Sequence, residues 1–201
     1  MKQTGIAIIG FGVAGGGTVR QLQEERQRIQ ARFGIDPVIR HVVVRNPAKA
    51  RSVQLEQGEL HADLDRALAD PAVDIVLELI GGITAARTVV EKALAAGKHV
   101  VTANKALLAD CGESLFAQAS QAGRIIAWEA SVCAGIPLIR GLADGLAGDR
   151  IISLQGIVNG TSNFILTRMS EDGQDFAGAL DLARQAGLAE ADPGLDVDGH
   201  D

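Results

Sequence analysis

The stretch IAIIGFGVAGGGTV, Ile6–Val19, decides the fold. Its first five residues, IAIIG, form a nearly unbroken apolar run, as a parallel strand covered on both faces requires. Gly10, Gly12 and Gly15 then fit G-x-G-x-x-G directly after that strand and at the opening of a helix. Alone this spacing is weak, and a glycine-rich tight turn is the alternative. The strand before and the helix after make it a dinucleotide-binding loop, Gly10, Phe11, Gly12, Val13, Ala14 and Gly15. Gly10 allows the tight turn, Gly12 lets backbone approach a pyrophosphate, and Gly15 lets helix pack on strand. The helix N-terminus adds unpaired N–H groups and the positive end of its dipole.

Outward from this loop the same rhythm repeats. VIRHVVV (38–44), DIVLELI (74–80), HVVTA (99–103) and RIIAWEA (124–130) read as further strands. Between them, helical spacing is expected over Thr18–Phe33, Thr84–Ala96 and Leu107–Ala122. Ala96-Gly97 and Ala122-Gly123 read as helix C-caps. Alternating strands and helices imply right-handed crossovers and a doubly wound parallel sheet. Past about residue 135 the rhythm changes. Ile136–Gly148 reads as a helix, Arg150–Gly160 as a strand, TSNFILTRMSEDG as a helix with a Thr/Ser cap, and Phe176–Ala186 as one more helix. One strand cannot build a sheet. The expectation is a first domain over 1–135 and the incomplete beginning of a second over 136–201.

Composition excludes several classes. The 201 residues are 47% hydrophobic and 22% charged, an ordinary globular balance. A net charge of −6 argues against nucleic acid or an anionic membrane as partner. No signal peptide is visible at MKQTGIAIIG and no apolar run reaches membrane-spanning length, so a cytoplasmic enzyme is expected. Cys111 and Cys133 fit no CxxC or disulfide pattern and read as reduced, buried thiols. The histidines 41, 61, 99 and 200 show no zinc spacing. The acidic ending AEADPGLDVDGHD does not match a calcium loop either, because Gly194 stands where a ligand is needed.

Two more positions carry chemistry. After VVV (42–44), where an NAD-selective site usually places an acid, the chain has Arg45 and Asn46, with Lys49 and Arg51 close behind. Arg45 suits a 2′-phosphate, which favours NADP over NAD; a solvated basic loop is the alternative. Lys105 follows the strand HVVTA, at the end of the sheet where ligands sit. It can donate a proton to a developing alkoxide, or be an ordinary surface lysine.

Taken together, GFGVAGGGTV (10–19), ELIGG (78–82), VVTANKALL (100–108), WEASVCAGIPLI (128–139), GIVNGTSNFILTRM (156–169) and AGLAEADPGLDVDGHD (186–201) resemble one family, homoserine dehydrogenase. GIVNGTSNFIL and AEADP are far more specific than the glycine pattern. The resemblance implies a Rossmann-type cofactor domain followed by the start of an α+β substrate and dimerisation domain. It implies interconversion of L-homoserine and L-aspartate 4-semialdehyde with NADP or NAD, in threonine, methionine and isoleucine biosynthesis. By the same resemblance Lys105 contacts cofactor and substrate and takes part in proton transfer. Glu129 and the backbone of Val132, Ala134 and Ile136 resemble a monovalent cation site, usually sodium. Asn159, Gly160 and Thr161 match a turn beside the nicotinamide, and Gly187 a cofactor contact. Glu190 matches the carboxylate that binds the homoserine amino group, and Asp196 and Asp201 match acids of the substrate pocket. The family's sequences run on to a second catalytic lysine, here position 205, whereas this chain stops at 201. A piece of a longer protein is therefore expected, inactive or nearly so alone, from a full-length homodimer or homotetramer. Two rivals remain at this stage. One is another Rossmann dehydrogenase acting on a small aldehyde or hydroxy acid, of which a thioester-forming semialdehyde dehydrogenase would need a nucleophile such as Cys133 beside a histidine. The other is a nucleotide-binding module without catalysis.

Overall fold

A computed structural model of the chain describes residues 2–133, 135–157 and 159–188. It divides into two compact units, Met1–Ala147 and Gly148–Asp201.

In the first unit six strands form one parallel sheet. β1 (Lys2–Ile9), β2 (Ile35–Val43), β3 (Glu59–His61), β4 (Ile75–Glu78), β5 (His99–Thr102) and β6 (Ile126–Ala127) lie in the order β3-β2-β1-β4-β5-β6. This is the Rossmann order, and it reverses direction between β1 and β4. Side chains alternate across the sheet. Ala7 and Ile9 join Val43, Val76, Val90, Leu107 and Leu115 on one face, while Ile6 and Ile8 join Val19, Ile39 and Val42 on the other. Both faces are thus apolar and covered, which is why the strands read as continuous runs.

The helices are α1 (Val13–Glu24), α2 (Arg26–Phe33), α3 (Leu64–Ala69), α4 (Thr84–Ala95), α5 (Lys105–Gln121) and the short α6 (Leu138–Arg140). The single helix expected over 18–33 is two, parted at Glu25, and the first begins five residues earlier, at the glycine loop. Gly97 and Gly123 do close α4 and α5. Each has a left-handed φ, of 71° and 62°, and the residue after it donates back into the helix, Lys98 N to Ala93 O and Arg124 N to Ala119 O. Arg26 of α2 grips Asp36 of β2 through both carboxylate oxygens, at 2.7 and 2.8 Å. That guanidinium, with Gln30, holds the Asp36 carboxyl down at about 2.

Several expectations need correction. The strand expected over 124–130 narrows to Ile126–Ala127. Ile136–Gly148 gives only α6 and one wide π-turn, Gly141–Gly145, since three glycines weaken the helix. Arg150–Ile157 forms no strand, because no described strand pairs with it; Ile152 is 93% exposed. Cys133 is half-buried rather than buried, with a left-handed φ of 47°.

The second unit is built around α7 (Gly160–Glu171) and α8 (Phe176–Gln185), which close on Ile165, Ala179 and Ala183. The cap of α7 is Asn159 rather than Thr161 or Ser162. Its Oδ1 accepts from Ser162 N at 2.7 Å, the spacing an N-cap side chain needs.

Candidate functional site

The loops that leave β1, β2 and β4 meet at the point where the strand order reverses. They enclose a cleft of about 760 Å³ lined by Gly10–Gly12, Val44–Asn46, Lys49, Arg51, Leu79–Gly81 and Ala85. Open parallel sheets bind ligands at this position. The glycine loop explains itself sterically. Gly10 has φ +107°, and a Cβ there would stand 2.5 Å from the Leu79 carbonyl oxygen. A Cβ on Gly15 would meet the Gly10 carbonyl oxygen at 2.2 Å. At Gly12 nothing lies within 4 Å of the same construction, so the space above it is open to a ligand. Val13, at the first turn of α1, is 98% exposed. Here α1 offers N–H groups with no partner inside the helix, the arrangement that receives a phosphate. Open space over Gly12, amides at the helix start and a cleft of this size fit a dinucleotide.

Arg45 and Lys49 are exposed on the β2 side of the cleft. Arg51 has a different task. Its guanidinium donates to the carbonyls of Asn46 (2.8 Å) and Pro47 (3.1 Å) and lies 5.4 Å from the centre of the Phe11 ring. It folds the basic loop back on itself and packs it on the glycine loop.

Lys105 is the first residue of α5, at the carboxyl end of β5, and is exposed. Asn104 caps this helix: its Oδ1 accepts from Leu107 N at 3.0 Å, and its Nδ2 donates to Gly82 O at 2.6 Å. Beneath lies Glu78, fully buried at the end of β4. Its Oε1 accepts from Ile80 N (3.0 Å) and Gly81 N (3.4 Å), and its Oε2 accepts from the Thr102 hydroxyl (2.6 Å). Glu129 follows β6. Its two carboxylate oxygens accept from Ile139 N and Arg140 N, at 2.9 and 3.0 Å, and so cap α6. Val132 and Ile136 lie in the turn between, and the Ile136 carbonyl accepts from Leu138 N.

These features come with relatives. Residues 10–129 match the family model described as homoserine dehydrogenase, NAD binding domain. The chain belongs to the homoserine dehydrogenase family. Residues 137–201 match a second model of that family, described as homoserine dehydrogenase. The chain is similar to homoserine dehydrogenase of Bacillus subtilis, 41% identical across all of this chain and 46% of that protein. It is 43% identical to the Pseudomonas aeruginosa homoserine dehydrogenase, again covering 46% of it. The crystal structure of the Thiobacillus denitrificans homoserine dehydrogenase superposes with a TM-score of 0.89 at 42% identity, over 97% of this chain and 45% of that one. The chain spans about half the length of the curated relatives it matches.

Within the second unit, residues far apart in sequence come together. The Thr161 hydroxyl donates to Leu188 O at 2.5 Å, tying the start of α7 to the end of α8. Gly187 ends α8 with φ 71°, donating to Arg184 O while Leu188 N donates to Ala183 O. Asn159, Gly160, Thr161 and Gly187 therefore share one corner of this unit. Ala134, Glu190, Asp196 and Asp201 lie outside the described residues.

The sequence did not show that His41 and His61 meet. Parallel pairing of β2 with β3 brings their rings within 2.9 Å, with the Glu59 carboxylate close enough to make a possible metal-binding trio. The hydrogen bonds argue otherwise. Asp63 N donates to His61 Nδ1 at 3.2 Å, and the Asp70 carboxylate, which can only accept, lies 3.0 Å from His41 Nε2. His61 Nε2–H must then donate to His41 Nδ1. The chain of donors is complete, Glu59 is paired with Arg66, and the cluster is structural. Burial pushes Cys111 up, the opposite of what an attacking thiol needs, while its Sγ donates to Leu107 O.

Proposed function

We propose that these residues belong to an oxidoreductase that interconverts L-homoserine and L-aspartate 4-semialdehyde with NADP or NAD. This is a step of threonine, methionine and isoleucine biosynthesis. The observation that carries the reading is the open glycine loop at the switch point, with Lys105 at the carboxyl end of β5, the strand beside β4.

In this reading residues 1–135 bind the cofactor and residues 136–201 begin the substrate domain. Gly10, Phe11, Gly12, Val13, Ala14 and Gly15 hold the pyrophosphate by backbone, and Gly160 and Gly187 are further cofactor contacts. Arg45, exposed at the cleft, pairs with a 2′-phosphate and gives preference to NADP. The bound nicotinamide supplies or takes up hydride. Lys105 holds the proton that a developing alkoxide needs. Asn159, Thr161, Glu190, Asp196 and Asp201 receive the substrate, with the Glu190 carboxylate toward its ammonium group. Glu129 with the main chain of Val132, Ala134 and Ile136 binds sodium. The donors are hard oxygens, which suit such an ion, and Glu129 already orients α6 through two N–H groups. The full-length protein is a cytoplasmic homodimer or homotetramer; no described helix is long and apolar enough to cross a membrane.

The test is Lys105→Ala in the full-length protein. A kcat lower by about a hundredfold or more, with the fold intact, is expected of a lost proton donor. A near-normal kcat would remove the role.

A further inference from the structure

Glu78 is not used by the scheme above, yet it is an unusual residue to bury. A carboxylate with no exposure costs several kcal/mol in desolvation unless donors surround it, about as an order of magnitude. Here each oxygen has a separate duty. Oε1 gathers the N–H groups of Ile80 and Gly81, whose turn lines the cofactor cleft. Oε2 accepts from the hydroxyl of Thr102, which sits directly opposite Glu78 in the pairing of β4 with β5.

The bonds continue from Thr102. Its Oγ1 accepts from Asn104 N at 3.1 Å, and its carbonyl accepts from Ser131 Oγ at 2.9 Å. Asn104 reaches back to Gly82 O with one end of its amide and caps α5 with the other. The set closes on itself: Glu78, the turn at 80–82, Asn104, Thr102 and Glu78 again. One side of this ring is a wall of the cleft, and the opposite side is the first turn of α5, which begins at Lys105. Its three side chains are buried, with Glu78 and Thr102 at 0% exposure and Asn104 at 8%, while the turn at 80–82 that they hold is exposed. Water therefore does not compete for the bonds from Thr102 to Glu78 and Asn104, which stiffens that side of the ring.

We propose that Glu78 is a positioning residue: through Thr102 and Asn104 it fixes where Lys105 stands relative to the cofactor cleft. This rests on the reading of Lys105 as proton donor. Displacing such a group by about an ångström can cost on the order of a hundredfold in rate without affecting ligand affinity.

The experiment uses the full-length protein with homoserine and NADP. Glu78→Gln, which keeps the shape but turns one of the two acceptor oxygens into an NH2 donor, should lower kcat about tenfold or more. NADPH affinity and the KM for homoserine should stay within about threefold. Thr102→Val should do the same, Thr102→Ser should stay near wild type, and the double variant Glu78→Gln/Thr102→Val should fall no further than one alone. Where Glu78→Gln does not fold, the Thr102 pair carries the test. Wild-type kcat in Thr102→Val overturns the proposal. So does a loss of kcat that merely follows a loss of NADPH binding and thermal stability, as a general structural role predicts. Normal turnover in Lys105→Ala would strike the underlying reading first, whereas impaired Lys105→Ala beside normal Glu78→Gln strikes this inference alone.

Discussion

The Gly10 carbonyl oxygen occupies the place where a side chain on Gly15 would begin, 2.2 Å from the Cβ position. The first turn of α1 packs against the loop that precedes it only because residue 15 has no Cβ. Gly15→Ala must therefore push α1 off the loop, lowering thermal stability and weakening NADPH binding about tenfold or more together. Gly12→Ala meets no protein atom within 4 Å and has φ −85°, so the fold should be untouched. Its methyl group projects into the space assigned to the pyrophosphate, and binding alone should be lost. Melting curves and NADPH titration of the two variants separate the effects. Equal affinities in Gly12→Ala and wild type would contradict the cofactor assignment.

Arg45 stands at the open β2 side of the cleft, whereas Arg51 is spent on the carbonyls of its own loop. Arg45→Asp should shift the ratio of kcat/KM for NADP over NAD by about tenfold or more towards NAD. An unchanged ratio would mark Arg45 as surface charge. Arg51→Ala should instead loosen the loop over Phe11 and weaken both cofactors alike.

The His41–His61 pair makes stability depend on pH. Burial first, then the neighbouring His41 and Arg66, lower the His61 pKa below its ordinary value. A base with a lowered folded pKa binds more protons when unfolded, so its stability contribution is full above about pH 6.5 and is lost as pH falls. The loss levels off once His61 is protonated in the fold. Added protons must go to His61 Nδ1, which faces the Asp63 N–H, or disrupt the bond to His41. Arg40 and Asp70 bound the other end of the pair, and Glu59 and Arg66 flank His61. Denaturant midpoints at pH 7.5 and 5.5 should differ in wild type and converge in His61→Gln. A wild-type midpoint that does not move would contradict the assignment of protons along the pair.

The sheet was legible because its strands carry one chemical signal on both faces. Ile6–Ile9 and His99–Thr102 are apolar runs between glycine and helix signals, and they are strands. β3 and α3 were missed for lack of length: three residues and six show no period, and Asp63, the cap of α3, looks like any loop acid. Arg150–Gly160 has a strand's composition, but a strand exists only through hydrogen bonds to a neighbour. The glycine loop could be read because its geometry forbids other residues. Glu78 could not, since its role depends on Thr102 standing opposite it, and that register is set by the packed sheet. His41 and His61 meet for the same reason, twenty residues apart in sequence and diagonally placed on paired strands, His41 opposite Glu59 and His61 opposite Val43.

The decisive assay is homoserine-dependent formation of NADPH from NADP with the full-length protein, wild type beside Lys105→Ala. Steady turnover is expected in the wild type and, in the variant, a kcat lower by about a hundredfold with NADPH still bound. A wild-type protein that binds NADPH but neither oxidises homoserine nor reduces the semialdehyde would contradict the proposed function.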